Sequence, residues 1–122
     1  MKNSKRGFSL VEMLVAVAVI AILSTLAIPA LAGILHQGES VKTTRNAQLI
    51  ATTYASARAA GAVFTSTDLR GKIFELFDGK RGGGKMEPLF FSVTRMKAAE
   101  LDSVVGHLRY NATFDSIEVI SP

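Results

Sequence analysis

The sequence predicts an α+β protein in which a long N-terminal helix precedes a small head of antiparallel strands. Three observations predict it: an uncharged apolar run from Met13 to Leu35, a helical stripe that carries on to about residue 60, and short β-type segments separated by turn residues beyond residue 88. With 122 residues the chain has room for one small domain, and residues given to a membrane segment come out of that domain's core.

The first element is the apolar run. Met13 to Leu35 is 23 residues without a charge, and at about 1.5 Å per helical residue such a segment reaches across the roughly 30 Å of a bilayer's hydrocarbon core. The basic residues Lys2, Lys5 and Arg6 lie on its N-terminal side, and the positive-inside bias they give leaves the N-terminus in the cytoplasm and sends the rest across. The same three residues supply much of the net charge of +4. Without them there is no broad Lys/Arg face with interleaved aromatics, and a nucleic-acid partner is not expected.

Three readings compete for this segment. A secretory signal peptide would use Ala30-Leu31-Ala32 as its cleavage site, but the run exceeds the usual apolar core of about 7 to 15 residues, and Glu12 interrupts the apolar stretch that begins at Phe8. A plain signal anchor would leave Glu12 as an unexplained carboxylate costing a few kcal/mol if held charged deep in lipid. The third reading accounts for the residues that these two leave over.

Lys5-Arg6-Gly7-Phe8-Ser9-Leu10-Val11-Glu12 resembles the type IV prepilin signal: a short basic leader, a glycine, then Phe at the first mature position and Glu at the fifth. Pro29 falls where many members of that family carry a helix-bending proline. The resemblance covers residues 5 to about 35 and implies a structural filament subunit of a type IV pilus or type II secretion-like system, not an enzyme. It implies that residues 1–7 are a leader removed by an inner-membrane prepilin peptidase between Gly7 and Phe8, and that the same enzyme methylates the new Phe8 amine. Residues 8–35 then form the transmembrane and filament-core helix, inserted first in the bacterial inner membrane and later packed in a periplasmic or cell-surface filament. The implied partners are the peptidase, an inner-membrane assembly platform, copies of this or related pilins, and membrane lipid.

The chemistry agrees with that processing. A small residue before the scissile bond lets the backbone enter a narrow cleft, and the basic leader holds the site at the cytoplasmic interface. Cleavage exposes a cationic amine on Phe8, and Glu12 lies four residues along on the same helical face, within reach of its own or a neighbour's terminus. The resemblance implies the neighbour, with Glu12 setting register between subunits.

Residues 36–60 read as an amphipathic continuation of the helix, with Ala47, Ile50, Tyr54 and Ala57 at spacings of 3, 4 and 3. That stripe suits packing against the chain's own C-terminal part. Pro29 removes one backbone hydrogen bond and is expected to kink the helix, with Gly33 and Gly38 weakening it further. Residues 61–122 form the α+β head. Gly61 ends the helix, and Ser66-Thr67-Asp68 offers an N-cap to a short helix over about 68 to 78, with Leu69, Ile73, Leu76 and Phe77 on one side. Asp78 to Lys85 reads as a basic glycine-rich loop outside any packed element. Leu89 to Val93 is a strand. Lys97 to Val105 suits one or two helical turns, although Val104-Val105 is equally compatible with an extended chain. His107 to Ala112 and Ser116 to Ile120 are strands joined through Thr113-Phe114-Asp115.

Other chemistry finds little support. Gly79 to Lys85 spells G-x-x-x-x-G-K, but Met86 stands where a phosphate-binding loop needs Ser or Thr, and no strand leads into it. Asp102, Ser103 and His107 are the side chains of a hydrolase triad without the nucleophile elbow. His36 and His107 lack a nearby ligand set, and Asp115 with Glu118 does not make a calcium loop, so neither metal nor cofactor is expected. Cysteine is absent, which excludes a disulfide framework and a thiol nucleophile. Within the resemblance, the missing C-terminal cysteine pair and the short head lean toward a pseudopilin or minor pilin. The alternative is a minor tip subunit or membrane-anchored binding module whose head recognises a partner or cargo.

Overall fold

A computed structural model of the chain describes residues 7–120, so Lys2, Lys5 and Arg6 of the basic leader lie outside the described residues. The layout is the predicted α+β one: helix α1 (Leu10–Ala59), helix α2 (Leu69–Asp78), strand β1 (Lys80–Arg81), a 3-10 turn (Gly84–Met86), strand β2 (Phe90–Phe91), helix α3 (Ala98–Val105) and strands β3 (Leu108–Asn111) and β4 (Ser116–Val119). Two compact units divide the chain at Gly38 and Glu39.

In the first unit α1 is apolar on every side, and every described residue up to Gly38 is exposed. A helix that is hydrophobic all round requires lipid or other helices around it. It is the one helix among the described residues long and apolar enough to cross a membrane. Ser24 and Thr25, in the middle of the apolar run, are satisfied within the helix: the Ser24 hydroxyl donates to the Ile20 carbonyl and Thr25 to Ile22, both at 2.7 Å. Such back-bonding is what permits hydroxyls in an apolar environment. Pro29 lies inside α1, whose helical assignment runs on through it.

The second unit has its core around the outer segment of α1. Ala47, Ile50, Tyr54 and Ala57, the predicted stripe, are all fully buried. Ile73 and Leu76 of α2, Val93, Leu101 and Val104 of α3, Leu108 of β3 and Ile117 of β4 close over Ala47, Ile50 and Tyr54. Helix α2 starts where its cap places it, with the Asp68 carboxylate accepting from the Gly71 amide. Val104 is buried within α3, which resolves that segment as helix.

The strands form two separate antiparallel pairs. β3 and β4 pair with Tyr110 opposite Ile117, and β1 pairs with β2 through Lys80 opposite Phe91 and Arg81 opposite Phe90. The second pairing corrects the reading of residues 78–85 as a loop outside any packed element. Gly79 takes φ +90°, which turns the chain sharply out of α2, and the Phe90 ring occupies the place its side chain would need. The Gly82 amide donates to Leu89 and the Gly83 amide to Ala60, which fixes the loop to its neighbours.

Candidate functional site

The N-terminal segment carries the first group of interest. Gly7, Phe8 and Ser9 precede the helix, Gly7 has open space around it, and Phe8 is 85% exposed. The Gly7–Phe8 peptide bond therefore stands outside the helical hydrogen-bond ladder. Ser9 is the cap: its carbonyl accepts the Met13 amide at 3.1 Å. Its hydroxyl accepts the Glu12 amide at 3.2 Å, while its own amide donates to Glu12 Oε2 at 3.0 Å. This is a reciprocal capping box that satisfies two otherwise orphaned donors at the helix start.

Glu12 is thus oriented toward the N-terminal end of α1, on the side where a terminal amine at Phe8 would sit. A carboxylate there also complements the positive end of the helix dipole. Sequence reasoning singled out Gly7, Phe8 and Glu12 but passed over Ser9, although Ser-x-x-Glu before an apolar run is a recognised start signal.

A second polar group sits in the head. Asp115, at the tip of the β3–β4 hairpin, accepts the hydroxyls of Tyr54 and Tyr110, each at 2.7 Å, and pairs with Arg58. The two tyrosine hydroxyls and the neighbouring cations hold the Asp115 carboxyl below its ordinary range. Burial, reinforced by the bond to Asp115, pushes the Tyr54 hydroxyl well above its own. Lys72 lies 4.7 Å from the Tyr110 ring centre. This arrangement fastens the last hairpin to the outer segment of α1, and nothing in it presents a reactive atom to a substrate.

Glu75 anchors the chain between α1 and α2 in a similar way. Its carboxylate accepts the amides of Thr65 and Ser66 and pairs with Lys80. Burial acts to raise its pKa, but the bonds from Lys80, Ser66 and Thr65 outweigh it and hold the group at about 2.

The triad residues do not come together as a hydrolase site. Ser103 donates to the Ala99 carbonyl, His107 Nδ1 contacts the Ser103 carbonyl, not its hydroxyl, and Asp102 pairs with Arg70. Nor does the segment from Gly79 to Lys85 cradle phosphate. It leads into a 3-10 turn instead of a helix, and the amides of Gly79, Gly82 and Gly83 already donate to backbone carbonyls.

Compared with known proteins, residues 2–28 match a family model described as the prokaryotic N-terminal methylation motif. This is the cleavage and methylation signal of type IV prepilins and pseudoprepilins, and it covers Gly7, Phe8 and Glu12. No curated protein and no solved structure matches the chain.

Proposed function

We propose that this chain, which carries the prepilin-type N-terminal signal, is a structural subunit that is cut between Gly7 and Phe8, methylated on the Phe8 amine, and built into a filament through the apolar part of α1. The observation that carries this reading is the coincidence of that signal, at residues 2–28, with a helix exposed and apolar on every side up to Gly38. Before assembly lipid covers the helix, with the basic leader keeping the N-terminus cytoplasmic. In the filament, neighbouring copies of the helix take the place of lipid.

Glu12 selects the register of that packing by pairing with the Phe8 amine of an adjacent subunit. A buried carboxylate and a buried amine in an apolar bundle each gain from the other, and a mismatched register would leave both unpaired. Pro29 supplies the local loosening, since it offers no amide to the Thr25 carbonyl. Residues 8–35 act as the filament core, residues 36–60 as the bridge to the head, and residues 61–122 as the outward-facing part.

Within this reading the lack of a cysteine pair and the short head favour a pseudopilin of a type II secretion-like system or a minor pilin. A minor tip subunit or anchored binding module is the second reading, supported by the exposed apolar side chains of Met86, Leu89 and Phe90. The test is the filament fraction sheared from cells expressing the full chain, with and without an active prepilin peptidase. Peptidase-dependent filaments containing the chain are expected. A chain that stays membrane-bound and monomeric beside an active peptidase contradicts the filament role.

A further inference from the structure

Along α1 the formally charged side chains are Glu12, Glu39, Lys42, Arg45 and Arg58. Glu12 belongs to the cap at the helix start, Lys42 pairs with Glu100 of α3, and Arg58 pairs with Asp115. Glu39 and Arg45 are left over. Both are exposed, and among the described residues neither enters an ion pair. Nor do they serve each other: six residues separate them, which sets their side chains about 120° apart around the helix and about 9 Å apart along it.

Arg45 does not stand in a polar surface. Val41 and Leu49, one turn before and one turn after it on the same helical face, are 55% and 48% exposed. That face is turned away from the buried stripe of Ala47, Ile50, Tyr54 and Ala57. The exposed apolar side chains of α1 therefore do not end with the first unit. Opposite charges beside an apolar helix face, without partners in their own chain, are a means by which packed helices select partner and register.

We propose that Arg45 of one copy pairs with Glu39 of the adjacent copy, carrying the packing of α1 beyond its apolar run. Distances along the helix agree with the register assigned to Glu12. Copies related by a single filament operation are displaced by the same rise at every residue. Pairing Glu12 with a neighbour's Phe8 amine sets that rise at about four helical residues, or about 6 Å. Glu39 of the displaced copy then comes level with Thr43 of its neighbour, about 3 Å along the axis from Arg45, which is less than the length of an arginine side chain.

Because the two side chains leave different sides of the helix, each copy gives its arginine to one neighbour and its glutamate to another. Such a heterologous contact propagates and does not close into a two-fold dimer. The proposal rests on the reading of the chain as a filament subunit and adds to it a charge pair separate from that of Glu12.

Charge exchange tests it on the full chain in cells with an active prepilin peptidase. Arg45→Glu and Glu39→Arg each set like charges against one another, and each should lower the yield of sheared filaments by about ten-fold. The mass of the processed N-terminus and the thermal unfolding curve should stay as in the wild type, since both positions are exposed. The double variant Glu39→Arg/Arg45→Glu restores opposite charges in reversed order and should recover the yield to within about two-fold of the wild type. A double variant no better than the single ones, or single variants with normal yield, overturns the contact and leaves the filament reading standing.

A second arm reads the contact directly, because the chain contains no cysteine. Full-length Glu39→Cys carrying a mass tag and untagged Arg45→Cys are to be expressed together and their filaments treated with a short bismaleimide. Tagged–untagged dimers should exceed either like-with-like species by about ten-fold, since only that pair is held close. Equal yields of all three species, or none, overturn the proposal. Absence of filaments from the wild-type chain overturns the filament reading, and this contact with it.

Discussion

Ser9 and Glu12 cap one another across the first turn of α1, the Ser9 amide donating to the Glu12 carboxylate and the Glu12 amide to the Ser9 hydroxyl. The bond ties the carboxylate proposed to set filament register to the residue that follows the new terminus. Glu12 is therefore held by the helix start before any second subunit arrives.

Replacing Ser9 by Ala removes one half of this box and should weaken the helix start by about 1 kcal/mol. Amide exchange of the first turn, measured on the full chain in detergent micelles, should accelerate by about five-fold, while cleavage before Phe8 continues. Unchanged exchange at Glu12 contradicts the cap.

Glu12→Ala leaves the leader, Gly7 and Phe8 as they are, so processing should proceed close to the wild-type rate. Filament yield should nevertheless fall by at least about ten-fold, since an amine buried in a helix bundle is left without its counter-charge. Glu12→Asp, with a shorter reach, is expected to recover only part of the yield. Normal yield from Glu12→Ala defeats the register role.

Asp115→Ala should destabilise the head by about 1–3 kcal/mol, because the Tyr54 and Tyr110 hydroxyls lose their shared acceptor. Tyr54→Phe should cost less, about 1 kcal/mol, since the acceptor keeps its other donors. Denaturant midpoints of the two variants in detergent give the comparison. Equal midpoints for Asp115→Ala and the wild type would mean that the hairpin is held by apolar packing alone.

Acid should loosen the link between α1 and α2. Glu75 titrates at about 2 in the folded chain, below its ordinary 4.5, so its contribution is complete above about pH 4.5 and is lost as pH falls toward 2. That contribution reaches at most about 3 kcal/mol. The stability difference between wild type and Glu75→Gln should accordingly shrink between pH 5 and pH 2, and a difference independent of pH refutes the assignment.

Gly79→Ala places a methyl group where the Phe90 ring lies and at φ +90°. The β1–β2 pairing should open, and a loss of about 1–3 kcal/mol is expected. Retained hydrogen-exchange protection of the Gly82 amide, which donates to Leu89, would contradict this.

The parts of the fold legible in the sequence are those governed by local periodicity and capping. Ala47, Ile50, Tyr54 and Ala57 repeat at helical spacing and are buried together, and Asp68 caps α2 where its neighbours Leu69 and Ile73 predict. The β1–β2 pair escaped because it joins only two residues on each side across a glycine-rich turn, and neither strand is long enough to show alternation. Asp115 offers no local sign of its role, since one of its partners, Tyr54, lies 61 residues away. At the N-terminus Gly7, Phe8 and Glu12 were readable as a motif. The Ser9–Glu12 box lies in the same eight residues, where Ser-x-x-Glu before an apolar run is itself a helix-start signal.

The intact mass and N-terminal peptide of the full chain, purified from membranes that contain a prepilin peptidase, test the central claim most directly. The account predicts a chain that begins at Phe8 with a methylated amine. A chain retaining Met1, which would make α1 a simple anchor, or one starting at Gly33 after Ala30-Leu31-Ala32, which would make it a secretion signal, contradicts it.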